Sequence, residues 1–111
     1  MNRIPVSPAA AALLRALVSR AGADRDRILL SDVRSVDWQS LTFAGERHEI
    51  ELRVTAAGSR QIVDGMCADL GDAEFSIPGA IVADINVVGV SPLAADGSTI
   101  VRIEALTICA D

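Results

Sequence analysis

The chain has 111 residues, half of which are hydrophobic, and its formal net charge is −5. This length suits one core, so we predict a single domain over residues 1–111. The negative charge and the scattered arginines argue against nucleic acid as a partner, because a backbone-binding surface needs clustered positive charge. Apolar runs are far shorter than the ~18–20 residues of a membrane span, and the N-terminus has no secretory h-region. We therefore expect a cytoplasmic protein with no membrane partner.

The composition also restricts the available chemistry. All ten basic residues are arginine and tyrosine is absent, so the chain offers no lysine for a Schiff base or a phosphate loop. Cys67 and Cys109 lie on different predicted elements without metal-ligand spacing, and we expect both thiols to be reduced, buried small hydrophobes. The sequence contains no glycine-rich nucleotide motif, nucleophile elbow or Cys-x-x-Cys pair. We therefore predict no catalytic residue, no cofactor and no metal site.

The first predicted element is a helix that begins near Pro8. Ser7 fits an N-cap and Pro8 the first helical position, and Gly22 fits the left-handed residue that ends many helices. Between them, apolar residues recur at helical spacing and form one stripe: Ala10, Leu13, Leu14, Leu17, Val18 and Ala21.

A strand region is predicted over residues 28–43, after a short polar connector. Val36 and Trp38 share one phase of the two-residue alternation, whereas the apolar residues that follow share the other. One inserted residue at 39–40 reconciles the two phases, which is what a β-bulge supplies. We therefore predict a bulge at that point.

Residues 46–55 show the clearest strand pattern in the chain. Polar residues alternate there with four residues that predict a dry face: His48, Ile50, Leu52 and Val54. We expect residues 44–45 to form the tight turn of a hairpin. Together with the bulge, this turn places Trp38 opposite Ile50.

The second half of the chain repeats the order of a helix and two strands. Ser59 is expected to cap a helix that ends at Gly71. The predicted buried stripe of this helix consists of Ile62, Val63, Met66, Cys67 and Leu70. An extended region at 74–90, a turn at 96–97 and a last strand at 99–109 follow.

The element order α-β-β-α-β-β predicts an α+β two-layer sandwich, with a four-stranded sheet and both helices on one face. The second strand, the second helix and the third strand form a crossover that we expect to be right-handed. If this crossover leaves room for the C-terminal strand, the strand order is third–fourth–second–first. That arrangement is a circularly permuted ferredoxin-like sandwich, and by itself it carries no function.

One candidate site is a pocket on the predicted hairpin, formed by Trp38, His48 and Glu46. His48 is the only histidine, and in this interpretation it acts as a general base that Glu46 orients. The alternative is a partly buried histidine that a backbone carbonyl satisfies at the rim of the sheet. We favour the alternative, because the sequence supplies no convincing partner for acid-base work. A lone histidine also argues against a histidine-based metal site.

The other candidate site is the sheet face away from the helices, which we call the open face. More than half of the outward positions on the last two strands are apolar, and a large exposed apolar patch is typical of an interface. The candidate interface residues are Val82, Val88, Ile100, Arg102, Glu104, Leu106 and Ile108.

Three hypotheses about function follow from these sites. We favour a small, soluble, non-enzymatic association domain that forms a homodimer through the open face. The second hypothesis is a small-ligand-binding protein or a weak enzyme with the pocket near Trp38 and His48, whose ligand the sequence does not identify. The third is a regulatory subunit that binds a different chain through the same face.

Overall fold

The computed structural model describes residues 6–93 and 95–110 of the chain. These residues form an α+β domain with two α-helices and a four-stranded antiparallel sheet, which confirms the predicted class. The elements are α1 Pro8–Ala21, β1 Ile28–Gln39, β2 Ala44–Val54, α2 Ser59–Cys67, β3 Ala80–Leu93 and β4 Ser98–Cys109. Short 3-10 helices, Arg25–Arg27 and Leu70–Asp72, precede β1 and follow α2.

The boundaries of α1 are those predicted from its capping residues. The Ser7 hydroxyl accepts a hydrogen bond from the Ala10 amide at 3.2 Å, which satisfies one of the free donors of the first turn. Pro8 takes the first helical position, and Gly22 ends the helix with a left-handed backbone at φ 65°. Glycine suits this conformation because it has no Cβ to clash. The helix therefore turns its Leu13 and Leu17 side chains into the core, where both are fully buried.

The sheet has the strand order β1-β2-β4-β3, and every neighbouring pair is antiparallel. It follows that β2 and β3 run in the same direction. The chain crosses between them through α2, and β4 fills the space between the two strands. β1 and β3 are the edges of the sheet.

The core lies between the two helices and one face of this sheet. Alternate residues of β2 and β4 point into it, including Ile50, Leu52 and their partners Ile103 and Val101. One continuous cluster joins these strand residues to both helices, through Leu13, Leu17, Val63 and Met66. Within residues 6–93 and 95–110, the second face of the sheet carries no helix, so we call it the open face.

Two arginines tie the helices and loops to this core. Arg20, at the end of α1, donates hydrogen bonds to the carbonyl oxygens of Met66 and Ala68. These carbonyls belong to the end of α2, where the helix itself supplies no donor. Arg27 in the same way donates to the Thr55 carbonyl oxygen from two nitrogens, at 3.1 and 2.6 Å.

The turn of the first hairpin differs from the prediction. The strands are joined by residues 40–43, and Gly45 lies inside β2. The Ser40 hydroxyl accepts from the Thr42 and Phe43 amides at 3.3 and 3.0 Å, and the Ser40 amide donates to the Phe43 carbonyl at 2.8 Å. Such side-chain to backbone bonds stabilise a serine turn. The prediction of a turn at 44–45 is therefore wrong.

The register of this hairpin changes with the turn. Val33, and not Trp38, lies opposite Ile50. The register shift occurs at Ser31, between Leu30 and Asp32, and not at residues 39–40. Because side chains alternate along a strand, Trp38 points to the open face, opposite to the face that Ile50 buries.

The start of α2 also departs from the prediction. Gly58 is the N-cap residue and Ser59 is the first helical residue, without a capping hydrogen bond. The buried Ser59 hydroxyl instead donates to the Gly97 carbonyl at 2.6 Å and lies 2.8 Å from the Thr99 hydroxyl. Ser59 therefore ties α2 to the β3–β4 turn. The helix ends at Cys67, before the predicted Gly71.

β3 contains two β-bulges that the alternation of its residues did not reveal. The register shifts between Val82 and Asp84 and again between Val87 and Gly89. Val82 consequently lies opposite the buried Thr107 and packs against the core. The prediction of an outward Val82 is therefore wrong, because the first bulge lies immediately after it.

Candidate functional site

His48 is fully buried and both of its ring nitrogens have hydrogen-bond partners. Nδ1 lies 2.7 Å from the Ser35 hydroxyl of β1, and Nε2 lies 2.8 Å from the Thr107 hydroxyl of β4. The Thr107 hydroxyl in turn donates to the Glu46 carbonyl oxygen at 3.5 Å. His48 thus connects three neighbouring strands on the inner face.

Both hydrogen bonds of His48 suit a neutral imidazole, which has one donor nitrogen and one acceptor nitrogen. The hydroxyls of Ser35 and Thr107 can each donate or accept, so they satisfy the ring in either tautomer. Burial lowers the pKa of His48, while the nearby negative charge of Glu46 partly opposes this by raising the pKa. The histidine is consequently a neutral link between strands.

The structure does not bring the residues of the predicted pocket together. Trp38 lies on the open face and His48 on the inner face. Glu46 lies on the same face as His48, and its negative charge raises the pKa of that histidine. A general base must come within hydrogen-bond reach of the substrate proton, and His48 has no exposed surface. The geometry is that of a satisfied buried histidine.

The middle of the open face is a band of charged side chains, which we call the charged band. Arg102 donates to Glu51 across the strands at 3.0 Å. Glu49 lies directly opposite Glu104, a like-charge pair that costs free energy when nothing compensates it. The charged band consists of Asp32, Arg34, Glu49, Glu51, Arg102 and Glu104.

One end of the open face is apolar, and we call it the apolar end. Trp38, Gly45, Ile108 and Ile81 lie side by side across the four strands. Ile81 is 58% exposed although it is a large hydrophobic residue. The next row places two further apolar side chains, Val36 and Leu106, beside the exposed and charged Arg47 and Asp84. The apolar end consists of Val36, Trp38, Ile81, Leu106 and Ile108, beside the exposed Leu41 and Phe43 of the hairpin loop.

Gly45 has a specific place in the apolar end. A Cβ on this glycine would lie 1.9 Å from the Thr107 carbonyl oxygen and 2.9 Å from the Ile108 Cα. Real Cβ atoms do not come so close to backbone atoms, so the approach of β2 to β4 requires glycine here. The row is therefore interrupted by a missing side chain between Trp38 and Ile108.

The other end of the open face mixes apolar and charged side chains. Val88, which sits in the second bulge of β3, is exposed, and Ile100 is half-buried. Arg53 forms an ion pair with Asp96 in the β3–β4 turn. The hydrogen bonds from the Ser98 hydroxyl and amide, with that of Arg53, lower the pKa of Asp96 to about 2.

Most of the residues predicted for the interface lie on the open face. The six that do are Val88, Ile100, Arg102, Glu104, Leu106 and Ile108. Val82 lies on the inner face. Sequence reasoning missed Val36, Trp38 and Ile81, because their phase depends on the hairpin turn and on the bulge after Val82.

The two thiols are free and differ in exposure. Cys109 is exposed, contrary to the expectation that it is buried. Cys67 is half-buried, and its pKa is raised by burial first and by the charge of Asp64 second, while Arg20 lowers it. A raised pKa disfavours the reactive thiolate.

Residues 6–93 and 95–110 contain no group of three or more histidine, cysteine or acidic side chains arranged to hold a metal ion. Neither helix of that part has the length and hydropathy needed to cross a membrane.

Comparisons with known proteins do not assign the chain to a family. No protein-family model matches the sequence, and no curated protein or solved structure is significantly similar to it.

Proposed function

We propose that the protein is a non-enzymatic association domain that forms a homodimer through the open face of its sheet. The observation that carries the proposal is the apolar end, where large hydrophobic side chains lie on a face that neither helix of the described chain covers. Phe43 and Ile81 are 53% and 58% exposed. Exposed large apolar side chains concentrated at one end of a face, here bordered by the charged Arg47 and Asp84, are typical of an interface.

The size of the open face suits a dimer. Four strands about 4.8 Å apart and about eleven residues long cover roughly 700 Å². A typical stable interface buries about 800 Å² on each partner. The hairpin loop, with Leu41 and Phe43 at its tip, extends the face beyond the strands. Two copies stacked through this face would therefore bury a standard interface.

The charges of the open face suit a second copy of the same chain. The charged band lies between two less polar ends, and it contains both signs of charge. A two-fold axis along or across the strands stacks this band on its own copy. Glu49 and Glu104, which face each other within one sheet, can then approach arginines of the other copy. This self-complementarity favours a homodimer over an apolar partner.

We also infer that the architecture is a circularly permuted ferredoxin-like sandwich. The support is the crossover from β2 through α2 to β3, with the C-terminal strand β4 between the two. Free thiols at Cys67 and Cys109 are in keeping with a reducing, cytoplasmic location. Neither inference adds a chemical function.

The two other hypotheses fare differently. The ligand pocket near Trp38 and His48 is not retained, because these side chains lie on opposite faces of the sheet. A regulatory subunit that binds another chain would use the same open face. Co-purification from the native host separates that case from the homodimer, because it would recover a second chain in stoichiometric amount.

The proposal is tested by placing a charge in the apolar end. Leu106 is half-buried on the open face, and Leu106→Glu should raise the dimer dissociation constant by roughly 30-fold or more, the effect of a central interface residue. Gln61→Glu adds the same charge on the exposed side of α2 and is the matched control. Light scattering coupled to size-exclusion chromatography measures both. A Leu106→Glu protein that associates as tightly as the control contradicts the proposal.

A further inference from the structure

The two edges of the sheet differ in how well they are protected against pairing with another strand. β3 has two bulges, and Pro92 near its end lacks an amide hydrogen. Bulges and prolines are common devices that keep an edge strand from pairing. β1, by contrast, keeps an uninterrupted register with β2 from Asp32 to Gln39. Its outer side therefore presents a regular row of backbone donors and acceptors.

We propose that β1 pairs antiparallel with β1 of a second copy, in the register that places Val36 opposite Val36 of that copy. Val36 is 46% exposed, although valine is favoured in the interior of a sheet. The resulting two-fold pairing joins two four-stranded sheets into one. This interface is distinct from the stacking of open faces and does not depend on it.

The register follows from the charges along β1. In a two-fold antiparallel pair, one residue lies opposite its own copy. Centring the pair on Arg34 or on Asp37 sets like charges directly opposite each other, which is destabilising. Centring it on Val33 runs the pair through the bulge at Ser31. These positions are therefore excluded.

Centring on Asp32 also sets like charges opposite each other, and centring on Trp38 or Gln39 pairs at most three residues of each strand, because β1 ends at Gln39. Two centres, Ser35 and Val36, remain that use the regular part of β1, and they differ in the contacts they make. Centring on Ser35 sets Asp37 against Val33, an acid against an apolar side chain. Centring on Val36 instead sets Arg34 against Trp38 of the other copy, where a guanidinium can lie on the indole. It also sets valine against valine, a favourable pair across strands. The second register is the one that the side chains support.

The pairing has a structural consequence for the open face. Val36 and Trp38 belong to the apolar end, and in the paired sheet they meet their own copies at the junction. The two apolar ends then form one continuous surface. Edge pairing and face stacking are compatible, and together they generate a tetramer with two kinds of two-fold contact.

Cysteine cross-linking tests the register directly. In a background with Cys67→Ala and Cys109→Ser, we expect Val36→Cys to form a disulfide-linked dimer under mild oxidation. Opposed residues of an antiparallel pair have Cα atoms about 4.5–5.5 Å apart, within the range that a disulfide spans. Non-reducing electrophoresis detects the product, and circular dichroism verifies that the variant is folded.

Two further variants act as controls for the same register. Arg34→Cys alone should give at least ten-fold less dimer, because its copy lies four residues away along the strand, roughly 13 Å. A mixture of Arg34→Cys and Trp38→Cys should cross-link, because these positions are opposed. A Val36→Cys protein that cross-links no better than Arg34→Cys overturns the proposal.

The edge contact can be separated from the face contact by adding Leu106→Glu to the Val36→Cys protein. If the cross-link persists while face association is lost, the edge pairing stands by itself. If the cross-link disappears with face association, the cysteines met through stacked faces and the edge proposal is wrong. A wild-type dimer without any Val36→Cys cross-link overturns the edge proposal and leaves the face dimer intact.

Discussion

The buried His48 predicts a specific loss of stability in mild acid. In the unfolded chain the imidazole takes up a proton near its ordinary pKa of 6.5, whereas burial lowers this pKa in the folded protein. The unfolded state therefore binds more protons as the pH falls below 6.5, and the free energy of unfolding decreases. This contribution to the free energy of unfolding is fully present above pH 6.5, and it is lost as the pH falls from 6.5 towards the pKa of His48 in the folded protein.

The magnitude follows from the linkage between protons and folding. While the folded histidine stays neutral and the unfolded one is charged, the free energy of unfolding falls by about 1.4 kcal/mol per pH unit. Between pH 7.5 and 5.5, the loss is at most about 1.4 kcal/mol, the value reached when the folded histidine stays neutral over the whole interval, because the unfolded residue titrates midway through it. The hydroxyls of Ser35 and Thr107 can still bond the charged ring, so the cost is that of burying its charge.

Urea unfolding at a series of pH values measures this dependence. The midpoint should decrease from pH 7.5 to 5.5 in the unmodified protein, without a change in the m-value. His48→Gln has no titrating ring, so its stability, although lower, should be nearly constant over the same interval. Glu46→Gln removes the charge that raises the pKa of His48, and its stability should keep falling to a lower pH. A midpoint that is equally flat in the unmodified protein and in His48→Gln refutes the reasoning.

Two other substitutions test contacts between elements. Gly45→Ala should lower the free energy of unfolding by about 1–3 kcal/mol, as overpacking does, because its Cβ would lie 1.9 Å from the Thr107 carbonyl oxygen; an unchanged urea midpoint would show that the strands adjust freely. Arg20→Met keeps the apolar stem but removes the donors to the Met66 and Ala68 carbonyl oxygens, and the expected cost is about 1–2 kcal/mol. Arg15→Met, at an exposed position on the same helix, is its control and should change stability by less than about 0.5 kcal/mol. Equal effects of the two arginine substitutions would contradict the helix-capping role.

The first helix and the second strand were predictable because their signals are local. Ser7, Pro8 and Gly22 act through hydrogen bonds and backbone angles within one or two turns, so their chemistry can be read from neighbouring residues. The alternation around His48 likewise predicted which side chains of β2 enter the core. The structural role of His48 could not be predicted in the same way. Both of its ring nitrogens are hydrogen-bonded, to Ser35 and Thr107, and only the strand register brings these residues together.

The hairpin and β3 were harder to predict, for a common reason. The turn is set by the hydrogen bonds of Ser40 with Thr42 and Phe43, and these compete with a glycine-containing alternative next to it. In β3 apolar residues occupy both phases, so the insertion of a bulge after Val82 hardly changes the pattern. A register shift of one residue moves every later side chain to the other face. In the first hairpin, the turn lies at residues 40–43 and the bulge at Ser31, and the different positions predicted for both assigned Trp38 to the wrong face of the sheet.

The mass of the unmodified protein in solution tests the central claim most directly. Light scattering across low to high micromolar concentrations should give at least twice the 11.6 kDa of one chain, with dissociation on dilution. A constant monomer mass up to several hundred micromolar would contradict an association domain, whichever side chains line its open face.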